Sequence, residues 1–161
     1  MTATSSGSTQ GAGQRGPRVI DASVAIKWVV AENGTAEALE LLKNKLFAPA
    51  LFQAECANIL WKKVRRGEMS GREAGIAARI LEGSGIQFSG REPELGRVVE
   101  LALEINHPAY DSVYLGLAEL LGIPLITADE RLIEAVDSAR RSGKGLAGIS
   151  VLPLIHRTTA H

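Results

Sequence analysis

The stretch HPAYDSVYLGLAELLGIPLITADERL, residues 107–132, contains the pattern of a helix followed by a buried strand. Pro108 is typical of a helix start, and Gly122 is typical of a helix end. The apolar run IPLITAD follows and predicts a strand with an acid, Asp129, at its carboxyl end. A helical pattern over residues 130–141 comes next, so this stretch predicts a helix–strand–helix unit of an α/β fold.

A second strand that ends in an acid lies near the N-terminus. RVIDAS, residues 18–23, is a short run with β-branched residues that ends at Asp21. Several helical patterns, one of them over residues 51–66, separate this strand from the later one. Strands joined by helical crossovers predict a parallel sheet covered by helices on both faces. Ligands of such sheets bind beyond the carboxyl ends of the strands, where Asp21 and Asp129 both lie.

Between these strands the sequence predicts a further helix start and a short strand. Ser89 and Glu92 have the spacing of a capping box, with Pro93 at the first helical position. GIQFS, residues 85–89, has the composition of a strand.

The composition fits a single globular domain. The chain has 161 residues, of which 45% are hydrophobic and 22% are charged. We expect one domain over residues 17–155, a disordered polar tail over residues 1–16 and a short C-terminal tail over residues 156–161. No run approaches the ~18 apolar residues of a membrane span, and the N-terminus lacks the apolar segment of a signal peptide.

Charge and cysteine content limit the possible partners and sites. Lys+Arg and Asp+Glu both number 18, so a nucleic-acid partner would need a local basic patch. Cys56 is the only cysteine, which excludes an intramolecular disulfide and is typical of the reducing cytoplasm. The three histidines and the cysteine are too far apart in the sequence for a zinc motif.

Asp111 is an acid within an otherwise apolar helix. At ~100° per residue, Ser112, Gly116 and Glu119 fall on one face, which we expect to face solvent. Asp111 falls away from that face, on the apolar arc. The helix dipole favours an acid in the first turn, which explains an aspartate at this end of the helix. It does not explain an aspartate on the apolar arc, so the pattern favours a functional role.

The two acids at the strand ends have a second explanation each. Asp21 and Asp129 could both serve as N-caps of the helices that follow them, which is a frequent role of aspartate. Ser23 could cap the first of these helices instead. Sequence alone leaves both interpretations open.

Glu55 lies at the acidic start of a helix that becomes basic. It shares a face with Asn58, Lys62, Arg65 and Arg66. A solvated charged face is the common explanation of such a pattern. The order of the charges suggests instead a metal at one end and RNA phosphates along the rest, with Lys62 ~10 Å from Glu55 along the axis.

Other candidate residues have simpler explanations. His107 lies four residues before Asp111 and could reach a substrate, but we expect an ordinary loop histidine beside Pro108. Cys56 lies on an apolar face and is expected in the core. Trp28 and Trp61 are expected to pack rather than to stack on bases.

Three motifs resemble, in order and spacing, those of the PIN domain family, in particular its VapC-type toxin ribonucleases. They are VIDASVAIKWVVAE, APALFQAECANIL and AYDSVYLGLAELLGIPLITADERL, and the similarity extends over residues 18–154. The resemblance implies a three-layer α/β/α sandwich with a mostly parallel central sheet. It also implies a site made of the acids Asp21, Glu55, Asp111 and Asp129, with Asn58 after the glutamate and the hydroxyl residues Ser23 and Thr127 beside the acids.

The resemblance further implies a metal-dependent endoribonuclease, a small VapB-type antitoxin that blocks the site and, often, a homodimer. Four carboxylates with no sulfur or imidazole ligand suit one or two Mg²⁺ or Mn²⁺ ions, which would also relieve their mutual repulsion. Asp21 and Asp111 are expected as the main ligands, and Glu55 and Asp129 as the others, directly or through water. The expected hydrolysis leaves a 5′-phosphate and a 3′-hydroxyl.

Two alternatives remain at this stage. A haloacid-dehalogenase-like phosphatase would need a second aspartate where this chain has Ser23, and a receiver domain would need an acidic pair and a late lysine that are not visible. A non-catalytic module that uses the fold as a docking surface is the other alternative. Such a module would bind Mn²⁺ weakly or not at all.

Overall fold

The computed structural model describes residues 15–155, so the predicted tails lie outside it apart from residues 15 and 16. Its sheet has four strands in the order β2–β1–β3–β4, and all neighbouring pairs are parallel. The strands are Arg18–Ile20 (β1), Leu46–Phe47 (β2), Leu125–Thr127 (β3) and Val151–Pro153 (β4).

Seven helices connect these strands. They are Ala22–Ala25 (α1), Thr35–Leu41 (α2), Leu51–Arg65 (α3), Gly71–Glu82 (α4), Leu95–Ile105 (α5), Ala109–Leu121 (α6) and Glu130–Arg141 (α7), with a 3₁₀ turn at Ile26–Trp28. The connection from β1 runs outward to β2 on one side, and the later connections run to β3 and β4 on the other. Because such crossovers are right-handed, the two directions place helices on opposite faces, as the predicted three-layer α/β/α fold requires. None of the helices within residues 15–155 is long and apolar enough to cross a membrane.

The core is built from the short strands and from α6. Val19 and Ile20 of β1 and Leu125 and Ile126 of β3 are fully buried, as expected for parallel strands covered on both faces. Tyr114, in the middle of α6, is also fully buried, as are Leu115, Leu117 and Ala118. A helix that is apolar on nearly all sides lies between other layers of the fold, and α6 has that position.

The face of α6 that was predicted to face solvent is buried. Ser112 and Gly116 lie inside because α5 and the loop before it pack on that side. A Cβ atom added at Gly116 would come within 2.7 Å of Pro93 Cβ, so the absence of a side chain allows this close approach. Asp111 is half-buried, so its predicted position is correct although the argument from a solvent face was wrong.

Two further local predictions were wrong. The capping box at Ser89 and Glu92 does not form, because Glu92 Oε1 accepts a hydrogen bond of 2.9 Å from Ala50 N and thereby ties this loop to the start of α3. The predicted strand over residues 85–89 is reduced to a single bridge between Gln87 and Phe47. Both segments make long-range contacts that replace their local pattern.

Candidate active site

The candidate site lies where the strand order reverses, between β1 and β3. The two strands are neighbours, so the residues after their carboxyl ends meet at one edge of the sheet. Asp21 follows β1, and Asp129 begins the turn into α7. An open parallel sheet usually binds its ligand at such a switch point. We call the region between Asp21, Glu55, Asp111 and Asp129 the acidic crevice.

Asp21 is the most buried acid of the site, with 5% of its surface exposed. It accepts hydrogen bonds from Ser23 Oγ at 2.5 Å, from Thr127 Oγ1 and from Val24 N at 3.3 Å. The last of these bonds makes Asp21 the N-cap of α1. Asp21 can therefore be both the N-cap of α1 and a residue of the site, because the capping bond holds its carboxylate at the edge of the sheet.

The two hydroxyl residues join the ends of β1 and β3. Ser23 Oγ donates to Asp21 and accepts a hydrogen bond of 3.0 Å from Ala128 N. Thr127 Oγ1 likewise donates to Asp21 and accepts a 3.0 Å bond from Asp129 N. Each hydroxyl thus uses its proton on the carboxylate and its lone pair on the turn after β3. This network fixes the orientation of Asp21 and the position of the turn.

Asp111, in the first turn of α6, faces a histidine and a second acid. His107 Nε2 lies 2.6 Å from Asp111 Oδ2. His107, Asp111 and Asp129 each offer an atom that could bind a metal, and the three atoms lie within 4.8 Å of one another. The prediction that His107 is an ordinary loop residue was therefore wrong, because its imidazole contacts Asp111.

Asp129 also has a capping role. Its Oδ1 accepts hydrogen bonds from Arg131 N at 2.9 Å and from Leu132 N at 3.4 Å, so it caps α7. Its Oδ2 accepts no hydrogen bond from the described part of the chain. One carboxylate oxygen can therefore fix the helix while the other stays available to a ligand.

Glu55 reaches the site from α3. Its side chain is half-buried, and Oε1 is a buried atom without a hydrogen-bond partner of normal geometry among residues 15–155. The same is true of the Tyr114 hydroxyl, whose pKa is raised by burial and by the nearby Glu55 carboxylate. A buried polar atom without a partner costs free energy, so this end of the crevice has unused capacity to bind a ligand.

The carboxylates raise one another's pKa. Burial, and then the charge of Asp111, raises the pKa of Asp21 to about 7 against the lowering effect of its hydrogen bonds. Burial raises the pKa of Glu55, the nearby Tyr114 hydroxyl lowers it, and the charge of Asp111 raises it further. Burial also raises the pKa of Asp111; His107 lowers it and Asp129 raises it. These interactions place all four predicted acids in one electrostatic cluster.

The cluster has no permanent cation from the described part of the chain. Among residues 15–155, no lysine or arginine forms an ion pair with any of the four acids. Clustered oxygen ligands with raised pKa values and a buried oxygen without a partner fit a hard divalent cation such as Mg²⁺ or Mn²⁺. Within the described residues, His107, Asp111 and Asp129 offer ligand atoms close enough together to hold such an ion, and Asp21 and Glu55 lie outside this group of three.

The remaining predicted residues follow Glu55 along α3. Asn58, Lys62, Arg65 and Arg66 are all exposed, and Asn58 makes no side-chain hydrogen bond within the described residues. Lys62 and Arg65 have no ion-pair partner there, whereas Arg66 lies 4.0 Å from Glu68. The basic residues thus continue from the acidic crevice along the exposed side of the helix.

Three residues near the site were missed or set aside by the sequence interpretation. The i, i+4 spacing of His107 and Asp111 was a usable signal. Tyr114 has no such signal, because an aromatic residue in an apolar helix reads as core. Cys56, by contrast, is buried as predicted, and burial raises the pKa of its thiol to about 12.

Comparisons with known proteins agree with this geometry. The family model for the PIN domain matches residues 18–138. Ribonuclease VapC1 of Mycobacterium tuberculosis is 31% identical over 121 residues, which cover 73% of this chain and 89% of the relative. Ribonuclease VapC12 of the same species is 30% identical, with 73% and 90% covered. Ribonuclease VapC3 of Pyrobaculum aerophilum is 31% identical, with 72% and 92% covered.

A solved structure supports the fold independently. The crystal structure of the Pyrobaculum aerophilum protein PAE2754 superimposes with a TM-score of 0.61 at 21% identity, covering 86% of this chain and 83% of that one. At this identity the similarity establishes the fold alone. Together with the family match and the relatives, it shows that the chain belongs to the PIN domain family, among its VapC-type members.

Proposed function

We propose that this protein is a metal-dependent endoribonuclease and the toxin of a toxin–antitoxin pair. The observation that carries the proposal is the cluster of Asp21, Glu55, Asp111 and Asp129 at the switch point. Burial raises the pKa of the first three, and no lysine or arginine among residues 15–155 forms an ion pair with any of the four. Relatives that share most of their length with this chain are named ribonucleases, which supports RNA as the substrate.

The acids would hold one or two Mg²⁺ or Mn²⁺ ions. Asp21 and Asp111 would be the main ligands, and Glu55 and Asp129 would complete the shell directly or through water. When bound, the metal supplies positive charge at the phosphate and lowers the pKa of a water molecule. Ser23 and Thr127 hold the Asp21 carboxylate in one orientation, which is the usual contribution of residues behind metal ligands.

The chain's own groups favour hydrolysis by water, which leaves a 5′-phosphate and a 3′-hydroxyl. Attack by the ribose 2′-hydroxyl would need a positioned acid–base pair, most often two histidines. His107 is engaged with Asp111, and His156 lies outside the described residues. The exposed cations Lys62, Arg65 and Arg66 would bind the RNA backbone beside the crevice. We place this activity in the cytoplasm, together with its substrate.

Cleavage of a labelled RNA tests the proposal. The wild-type protein should cut in Mg²⁺ or Mn²⁺ and stop in EDTA, and Asp111→Asn should lose at least ~100-fold in rate. Asp137→Asn, which neutralises an exposed aspartate of α7, is the matched control and should cut normally. Cleavage that survives EDTA, or an Asp111→Asn protein as active as the parent, would overturn the mechanism.

We also propose a homodimer through α5. Leu95, Val99 and Leu103 follow one another at intervals of four residues and are 79%, 46% and 73% exposed. Such a stripe on one helix face is costly in water and is typical of an interface. Leu103→Glu should shift the protein to a monomer in sedimentation, whereas Leu42→Glu, at the exposed residue directly after α2, should not.

The small antitoxin would dock at a second apolar surface. A groove of about 370 Å³ beside α4 is lined by Val29, Val30, Met69, Ile76 and Ile80. Ile80, 53% exposed, lies at its edge. An amphipathic helix fits such a groove, with its apolar side chains in the groove and its chain continuing toward the crevice. Ile80→Asp should weaken antitoxin binding and leave RNA cleavage unchanged.

A further inference from the structure

The two tryptophans of the chain have opposite environments. Trp28 is half-buried, and its Nε1 donates a hydrogen bond of 2.7 Å to Ala38 O. Trp61, in the second half of α3, is 59% exposed. The prediction that both tryptophans pack is therefore correct for Trp28 and wrong for Trp61. At this exposure the indole keeps part of its ring face open to solvent, where another flat ring can stack on it.

Trp61 has a polar and a cationic neighbour on one side of the helix surface, and Ala57 and Val64 on the other. Asn58 lies three residues before it and Arg65 four residues after it, so both are adjacent on the same side of α3. Lys62 comes next in the sequence, toward Glu55 on the helix face. All three are exposed, and neither Lys62 nor Arg65 has an ion-pair partner within residues 15–155. The surface combines a free aromatic face with two free positive charges.

This surface adjoins the acidic crevice. Trp61 lies ~9 Å from Glu55 along the helix axis and ~120° from it around the axis, and Lys62 and Arg65 lie between the two in angle. An RNA strand that leaves the crevice across Lys62 and Arg65 would therefore reach Trp61 within a few nucleotides. Aromatic rings beside cations are the usual way in which proteins bind unpaired strands, because each base offers a face to stack on.

We propose that Trp61 is a base-stacking platform for unpaired RNA, with Lys62 and Arg65 binding the phosphates on either side of the stacked base. The inference rests on the proposed ribonuclease function and adds the substrate class, a single strand or an open loop. A protein partner suits this surface less well. The exposed apolar side chains of α5 and α4 form continuous stripes, whereas no other exposed large apolar side chain of the described chain lies three or four residues from Trp61.

The test is RNA binding in EDTA, which prevents cleavage. A short unpaired RNA should quench tryptophan fluorescence in the wild-type protein, and the quenching should be lost in Trp61→Phe. Trp61→Ala should weaken binding by ~5- to 100-fold, the range expected for one stacked base, and Trp61→Phe should keep part of the affinity. Leu39→Ala, which removes an exposed apolar side chain from α2, is the matched control and should bind normally.

Salt dependence separates stacking from charge. Trp61→Ala should lower the affinity and leave the slope of log K against log salt unchanged, whereas Lys62→Gln should reduce the slope. In metal, Trp61→Ala should raise KM more than it lowers kcat. Unchanged RNA affinity in Trp61→Ala, equal affinity of the wild type for duplex RNA, or a defect confined to antitoxin binding would overturn the proposal.

The same measurements separate this inference from the proposed function. If the protein binds unpaired RNA through Trp61 but never cuts it in Mg²⁺ or Mn²⁺, the ribonuclease function fails and the stacking platform stands. If the protein cuts RNA and Trp61→Ala binds and cuts as the parent does, the stacking platform fails and the ribonuclease function stands.

Discussion

The two halves of α3 carry opposite charges in opposite environments. Glu55 in the first half is half-buried beside Asp111, and its pKa is raised by burial and by that neighbour. Lys62 and Arg65 in the second half are exposed and have no ion-pair partner within the described residues. The helix dipole favours an acid near its start and bases near its end, so charge order alone does not distinguish a site from an ordinary surface.

Burial is what distinguishes the two halves. A carboxylate held in a crevice with other carboxylates lowers the stability of the metal-free protein until a cation binds. Exposed lysine and arginine side chains cost almost nothing while they wait for a phosphate. We therefore expect changes at the acidic crevice to alter stability and chemistry together, and changes at the basic half of α3 to alter RNA binding alone.

The largest effect is expected in the pH dependence of stability without metal. The pKa of Asp21 is about 7 in the folded protein and ~3.9 in an unfolded chain, so the folded state binds more protons between these values. The free energy of unfolding should therefore fall as pH rises from ~4 to ~7, by on the order of 4 kcal/mol for Asp21 alone. Urea denaturation in EDTA measures it.

A difference curve isolates this contribution. Groups with lowered pKa values, such as Glu119 beside Arg97, contribute the opposite slope, because their stabilisation is lost as pH falls. Subtracting the Asp21→Asn curve from the wild-type curve removes the contributions of these other groups, and the difference should still fall as pH rises. As a control, Lys62→Gln should show the wild-type pH profile. Mn²⁺ should stabilise the protein more at pH 7.5 than at pH 5. A flat difference curve would contradict the expectation that the Asp21 carboxylate destabilises the metal-free protein as pH rises.

The next effect is expected at Glu55. Glu55→Gln keeps the size of the side chain and removes a charge whose pKa is raised. RNA cleavage should fall by ~100-fold or more, and the metal-free protein should become more stable at pH 7.5. Opposite changes in activity and stability would identify a group retained for function. Glu37→Gln, on the exposed side of α2, should change neither quantity.

The sequence was sufficient for the fold because its signals were local. β-branched runs that end at Asp21 and Asp129, separated by helices, require a parallel sheet and bring both acids to one edge. The boundaries of α7 at Glu130 and Arg141 follow the predicted residues 130–141. These features depend on hydrophobic periodicity, which can be read from a single sequence, and on the right-handedness of crossovers, which is a general rule.

The remaining errors concern contacts between distant segments. The polar face of α6 is buried because Pro93 packs on Gly116, and no periodicity can report a neighbour 23 positions away. The same holds for Tyr114, whose hydroxyl meets Glu55 only in the folded chain, and for Trp61, whose exposure depends on how α3 leaves the core. Partners of buried polar groups are properties of packing.

A moderate effect is expected at Lys62. Lys62→Glu should weaken binding of a single-stranded RNA ~10-fold at low salt. Each lost phosphate contact should reduce the slope of log K against log salt by ~0.7. The unfolding free energy and its pH profile should stay as in the parent, because the side chain is exposed and unpaired within residues 15–155. Lys144→Glu, the same charge reversal at an exposed lysine after α7, should leave the binding unchanged.

The smallest effect is expected at His107, which contacts the half-buried carboxylate of Asp111. His107 lowers the pKa of Asp111, so His107→Ala should raise that pKa further. Protons then compete better with the metal, and Mn²⁺ affinity should fall a few-fold at pH 6 and hardly at all at pH 8. Isothermal titration at both pH values measures this. An equal loss at both would contradict the electrostatic role and indicate that His107 itself binds the metal.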